Sequence, residues 1–152
     1  MNLELKIIPP VQLIISSSLM YTLAINFPQY SFEFSKIFLV ITVLIIIASF
    51  IGSLALYDFH KHQTTFHPHT PEKTRTVVDS GIFAYSRNPM YIALAIALFA
   101  FGLYLQNYSC FLIMPFFIWY ITRFQIIPEE KMLDKLFTND YQAYCQKVRR
   151  WL

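Results

Sequence analysis

"IFLVITVLIIIASFIGSLALY", residues 37–57, runs for 21 residues without a charged side chain. At about 1.5 Å per residue, a helix of that length spans roughly 30 Å, the thickness of a bilayer's hydrocarbon core. Two more charge-free runs flank it, 7–32 and 88–122. The later one is 35 residues long, too long for one crossing, and it is interrupted by the polar cluster "QNYS" at 106–109. A tight hairpin is expected there. The earlier run is broken by Pro28 and its polar neighbours. The pattern predicts four transmembrane helices, at about 9–27, 37–57, 90–106 and 110–127.

Composition agrees. Of 152 residues, 56% are hydrophobic and 14% charged, with a mean hydropathy of +0.45, whereas a soluble domain carries about 25% charged residues. The chain reads as a single all-α integral membrane domain, residues 1–152, with a C-terminal amphipathic helical tail. A signal peptide is disfavoured at the N-terminus, because Lys6 is the one basic residue there and no small-x-small site follows the apolar run cleanly.

Basic residues set the orientation. Lys61, Lys73, Arg75 and Arg87 lie between the second and third spans, and Lys131, Lys135, Lys147, Arg149 and Arg150 lie in the tail. The first loop holds only Lys36 and the hairpin none. With four spans, both basic segments and both termini fall on the cytoplasmic side. The net charge of +3 fits attraction to anionic lipid headgroups and not nucleic-acid binding. Cys110 and Cys145 are expected on opposite sides of the membrane, so no disulfide is assigned.

The polar remainder is a loop, 58–81, and a tail, 123–152. In the tail Pro128 suits a first helical turn, and Glu129 and Glu130 favour a helix N-terminus. Met132, Leu133, Leu136 and Phe137 make an apolar stripe. "TND" at 138–140 should interrupt it before a second short helix bearing Tyr141, Tyr144 and Val148, with the tail lying along the bilayer surface and Trp151 near its end. Loop and tail share one membrane face, so chemistry is expected where they meet.

Each candidate there has a plain structural reading. In "RNP", Pro89 starts a helix, Asn88 caps it and Arg87 reaches the interface. The functional reading is an anion site made of a helix N-terminus and an arginine. Glu129 and Glu130 either complement a dipole or accept from a ribose or a cationic group. Arg123 lies at the end of the fourth span, where an ionisable group is costly and faces protein or water, or snorkels. Tyr85, Tyr91, Tyr141 and Tyr144 suit an interfacial belt or a cage around a cation.

His60, His62, His67 and His69 form two His-x-His pairs. They support an alternative, a non-enzymatic metal-binding membrane protein, although an exposed basic loop accounts for them as well. Three glycines in the whole chain leave no Gly-rich phosphate loop, and neither a Ser-His-Asp arrangement nor a Cys-x-x-Cys pair is present. A scaffold or lipid-binding subunit is the third reading.

Taken in order, "TRTVVDSGIFAYSRNPMY" at 74–91, about 30 apolar residues, and "RFQIIPEEKMLDKLFTNDYQAYCQKVRRWL" at 123–152 resemble the isoprenylcysteine carboxyl methyltransferase family, which is related to the phospholipid methyltransferases. The resemblance covers about half the chain. It implies S-adenosylmethionine as methyl donor, held by residues 67–91 and 123–152. The implied cofactor contacts fall on Arg75, Thr76, Val77, Val78, Phe83, Asn88, Pro89, Met90, Tyr91 and Glu129, with His69, Arg87 and Glu130 beside them.

The family's substrate-side arginine falls on Gln125, and Arg123 is the nearest basic residue. Eukaryotic members carry histidine at the positions of Arg75 and Asn88 and tyrosine at Phe83, and the family's usual Phe-Gly is Phe137-Thr138 in this chain. "RNPMY" and "VRRWL" look like the small bacterial members, which implies a bacterial inner membrane. The acceptor so implied is a lipophilic or small molecule with a carboxylate, amine or thiol. In-line transfer from a sulfonium chiefly requires positioning and water exclusion, which suits a chain with no evident catalytic dyad.

Overall fold

The structure is a computed structural model that describes residue 5 and residues 7–61 and 77–152. Among these residues all regular structure is helical, apart from one isolated antiparallel bridge between Ser31 and Asn107. The main helices are α1 (Pro9–Asn26), α2 (Ile37–Lys61), α3 (Pro89–Tyr104), α4 (Ile113–Ile121) and α5 (Ile127–Lys147). Two helical runs are long and apolar enough to cross a membrane: Ile37–Lys61 with 25 residues, and Tyr108–Lys147 with 40, which joins α4 to α5. Pro89–Tyr104 is a shorter apolar helix.

The outer surface has the character of a lipid-facing one. Phe38, Leu39, Ile46 and Phe50 of α2 all stand more than half exposed. A contiguous apolar face of that kind is unfavourable in water and neutral in hydrocarbon. α2 and α3 pack closely because Ala48, Gly52 and Ala55 form a small-residue stripe; a Cβ added at Gly52 would sit 3.7 Å from that of Ala93, in ordinary contact. The central core joins Met20 of α1, Tyr91 and Leu98 of α3, and Cys110, Phe117, Ile121 and Ile126 of the helical run that begins at Tyr108.

The hairpin at 106–109 forms as the sequence predicts. Gln106 takes a left-handed conformation (φ 48°), and Asn107 Oδ1 accepts from the Ser109 amide (2.9 Å) and hydroxyl (2.6 Å). Asn107 Nδ2 donates to the Phe27 carbonyl (2.9 Å), and the Phe32 amide donates to the Gln106 carbonyl (2.8 Å). The hairpin is thereby locked to the α1–α2 connection.

The tail departs from expectation. Pro128 stands in the first turn of α5 as read, but no break separates that helix from the fourth span. α4 continues into α5 through a π-helical turn, Thr122–Ile126. Proline lacks the amide hydrogen that would bond the carbonyl four residues back, and its ring crowds that carbonyl. Widening the turn relieves the crowding, and the Phe124 carbonyl accepts instead from the Leu5 amide at 3.0 Å. The break expected at 138–140 is a kink at Phe137 (φ −128°, ψ 19°) inside one assigned helix.

Candidate functional site

The third-span entrance and the tail meet. The Tyr91 hydroxyl donates to Glu129 Oε1 at 2.7 Å. One residue on, Glu130 accepts a two-pronged guanidinium from Arg150, with Nη2 to Oε2 at 2.7 Å and Nε to Oε1 at 3.1 Å, and Arg87 Nη1 lies 3.3 Å from Oε1. Glu130 therefore balances two arginines. Such forked, charge-assisted pairs are among the stronger polar contacts.

Asn88 occupies the N-cap position of α3, but its side chain makes no cap bond. It donates instead to the Arg150 carbonyl at 2.9 Å, so the plain reading of Asn88 as a cap fails. Its own amide hydrogen bonds to Ser86 Oγ at 3.1 Å, and the Arg87 amide donates to the Arg149 carbonyl at 3.0 Å. Arg87 Nη1 also donates to Cys145 Sγ, while Arg87 Nε is buried without a partner.

A second layer supports this cluster. Tyr144 donates to the Phe83 carbonyl at 2.7 Å. Val78 and Phe83 pack with Ala55, Phe59 and Met90, and Val77 packs with Tyr141, Tyr144 and Val148 of the tail. Pro89 is fully buried at the start of α3. At the end of α2 the Asp58 carboxylate accepts from the Ile82 amide at 3.0 Å, holding the 3-10 turn Gly81–Ala84 in place.

Electrostatics single out Glu129, two residues beyond the apolar run that ends at Ile127. Burial pushes its carboxyl up to about 8, against the Tyr91 hydrogen bond, with repulsion from Glu130 adding to the rise. Burial also raises the Tyr141 and Tyr144 hydroxyls, keeping them neutral. The Glu130 hydrogen bonds hold Arg150 in its charged form.

Of the residues singled out by sequence, Val77, Phe83, Arg87, Asn88, Tyr91, Glu129 and Glu130 come together within or against the tail, and Val78 and Met90 pack behind Phe83, with Pro89 buried beside Asn88. Gln125 and Arg123 do not join them. Gln125 is buried, and its amide donates to the Ile7 carbonyl. Arg123 is exposed, with its guanidinium 5.4 Å over the Phe124 ring. His62, His67, His69, Arg75 and Thr76 lie outside the described residues, whereas His60 ends α2 on the exposed surface. Among the described residues no three His, Cys, Asp or Glu side chains cluster as a metal site would require.

Sequence reading missed Arg150, Ser86 and Cys145 as members of the cluster. The one available signal was charge arithmetic: two adjacent glutamates at the end of an apolar helix, with Arg149 and Arg150 on the same face.

The family model for phospholipid methyltransferase matches residues 37–140. An uncharacterised protein of Haemophilus influenzae is 44% identical over 63 residues, all of that protein's length and 41% of this chain. No solved structure matches the chain.

Proposed function

The chain belongs to the phospholipid methyltransferase family, and from that premise we propose that it is a membrane-embedded S-adenosylmethionine-dependent methyltransferase of the isoprenylcysteine carboxyl methyltransferase-like type. The observation that carries this reading is the convergence of Asn88, Tyr91, Glu129 and Glu130 on one polar cluster built from two distant segments. Four helices cross the bilayer in this reading: α1, α2, α3 and the stretch from the hairpin through α4 to residue 127. The basic loop and tail then share the cytoplasmic face with both termini, in a bacterial inner membrane.

The residues present fit the cofactor. Glu129 uses one carboxylate oxygen on Tyr91, and the other suits a ribose hydroxyl. Arg87 Nε–H is a buried donor with no acceptor, as the carboxylate of an amino-acid moiety requires. Val77, Val78, Phe83, Pro89 and Met90 supply apolar walls; the resemblance adds Arg75, Thr76 and His69, which lie outside the described residues. S-adenosylmethionine, when bound, supplies an electrophilic methyl group. The chain's own part is to hold donor and acceptor in line and to keep water out; Tyr91 fixes the Glu129 carboxylate while Asn88 and Arg150 tie the tail over the entrance.

A lipophilic or small acceptor bearing a carboxylate, amine or thiol reaches this point from the bilayer, and the polar donor from the cytoplasm. By the resemblance the acceptor side falls on Gln125 and Arg123, one helical turn or more before Glu129 and outside the polar cluster.

Calorimetric titration of the purified protein in detergent with S-adenosylmethionine tests the reading. Saturable binding is expected, weakened about tenfold or more by Glu129→Ala and by Asn88→Ala, or at least about 1.4 kcal/mol each. An absence of saturable binding, or affinities unchanged in both variants, overturns it. Labelled-methyl transfer into a total lipid and small-molecule extract then identifies the acceptor.

A further inference from the structure

The polar cluster leaves two buried groups unused. Gln12 of α1 is 5% exposed, and neither its amide oxygen nor its amide nitrogen has a hydrogen-bond partner. The hydroxyl of Tyr120, on α4, is also buried without one. Burying such groups unpaired is unfavourable anywhere, and more so in an apolar medium that supplies no water.

The two groups share one height. α1 and α4 are antiparallel neighbours tied at several levels: the Gln125 amide donates to the Ile7 carbonyl, the Cys110 thiol to the Met20 carbonyl at 3.3 Å, and the Asn107 amide to the Phe27 carbonyl at 2.9 Å. Gln12 lies five residues beyond Ile7 and Tyr120 five residues before Gln125. Gln12 is the fourth residue of α1 and Tyr120 the eighth of α4, so both lie roughly a helical turn inside the Ile7–Gln125 tie. Gln12 belongs to the buried face of α1 with Ser16 and Met20, and Met20 shares a core cluster with Phe117 and Ile121 of α4. The Tyr120 ring rests 4.7 Å from that of Phe124.

We propose that Gln12 and Tyr120 together grip an uncharged hydrogen-bonding group, a hydroxyl or an ester or amide carbonyl, on a lipid-soluble molecule that enters between α1 and α4. The molecule is lipid-soluble because the flanking surface is hydrocarbon: Ile8 at the N-cap of α1, Ile15 on α1, and Phe116 and Trp119 on α4 are exposed. The group is uncharged because residues 7–32 and 88–122 contain no ionisable acid or base of either sign (Asp, Glu, Lys or Arg) to balance a charge. An amide and a phenol offer both donors and acceptors, as a hydroxyl or carbonyl requires.

Tyr120 precedes Glu129 by nine residues on one continuous helical run, about 13 Å along the axis. The gripped group is thus a second polar group of the acceptor and not the atom that receives the methyl. Its identification as the acceptor rests on the methyltransferase reading; its existence as a binding site does not.

Photolabelling of the full chain in detergent with a diazirine-bearing long-chain fatty alcohol tests this, with the matching alkane, amine and carboxylic acid as comparison probes. Saturable labelling of α1 and α4 is expected with the alcohol, competed by unlabelled alcohol and reduced about fivefold or more by Gln12→Leu and by Tyr120→Phe. Saturable labelling by the alkane, tighter labelling by the amine or the acid, or no change in either variant overturns the proposal.

A stability measurement guards against misfolding. Gln12→Leu removes an unpartnered amide, so its ligand-free Tm should rise by about 2–4 °C while the alcohol-induced shift disappears. A lowered Tm overturns the proposal, because it means the amide is satisfied without a ligand. S-adenosylmethionine affinity, measured on the same variants, separates the two readings. If no form binds the cofactor, the methyltransferase reading fails, while the alcohol site stands or falls on its own labelling.

Discussion

The Tyr91 hydroxyl donates a 2.7 Å hydrogen bond to Glu129 Oε1, joining the first turn of α3 to the start of α5. Both partners are largely buried, so Tyr91→Phe leaves a desolvated carboxyl group without its donor. The expected cost is about 1–3 kcal/mol, read as a lowered Tm in detergent, with S-adenosylmethionine affinity reduced alongside. An unchanged Tm would show that this bond contributes nothing to the fold.

Glu129 also makes stability depend on pH. Its folded-state value, about 8, lies well above the usual carboxyl value of about 4.3. A group raised in this way stabilises the fold below its unfolded value, and that contribution is lost as pH rises through the folded one. Tm in detergent should therefore fall as pH rises from about 5 to about 9, and Glu129→Gln should flatten that slope. A cationic ligand reverses the sense. Affinity for S-adenosylmethionine should strengthen over the same interval, since binding favours the ionised carboxylate. Parallel slopes in the parent and the Gln variant would remove Glu129 from both effects.

The bilayer explains what the sequence made legible. An apolar solvent forbids charge and demands satisfied backbone, so charge-free runs predict helices well, and the reading of 9–27 and 90–106 meets Pro9–Asn26 and Pro89–Tyr104 within a residue or two. The hairpin at 106–109 was legible for the same reason. Pro128 was read correctly as a first-turn proline, but the continuity of α4 into α5 was not legible, because a distant partner, the Leu5 amide, takes the carbonyl that proline leaves unpaired. Arg150 was hidden likewise. Its carbonyl serves Asn88 and its guanidinium serves Glu130, contacts spanning 62 and 20 residues that no periodicity encodes. The convergence of loop and tail was foreseeable from orientation alone; the partners within it were not.

Glu130 holds Arg87 and Arg150 together, so the three side chains should behave as a unit. Arg150 is 38% exposed and Glu130 14%, and solvent screening lowers what the pair contributes. A double-mutant cycle with Glu130→Ala and Arg150→Ala should give a coupling of about 0.5–2 kcal/mol. Glu130→Ala should be the more damaging single change, because it strands two guanidinium groups instead of freeing one carboxylate. Additive losses across the cycle would contradict a shared network.

Gly81 is held at φ +62°, and a Cβ placed on it would lie 2.1 Å from Asp58 Oδ2. Gly81→Ala therefore carries two costs: the left-handed backbone, about 1–2 kcal/mol, and displacement of the carboxylate that accepts from the Ile82 amide. Asp58→Ala removes the collision but not the backbone strain, so the double variant should lose less than the sum of the two single losses. Gly52→Ala is the control. Its new Cβ meets only Ala93 at 3.7 Å, and alanine is the better helix former by about 1 kcal/mol, so Tm should hold or rise. Since the Gly81–Ala84 turn carries Phe83 against Tyr144, Gly81→Ala should also loosen the tail, visible as faster amide exchange across 141–148. Exchange there unchanged by Gly81→Ala would mean that the turn and the tail are not coupled.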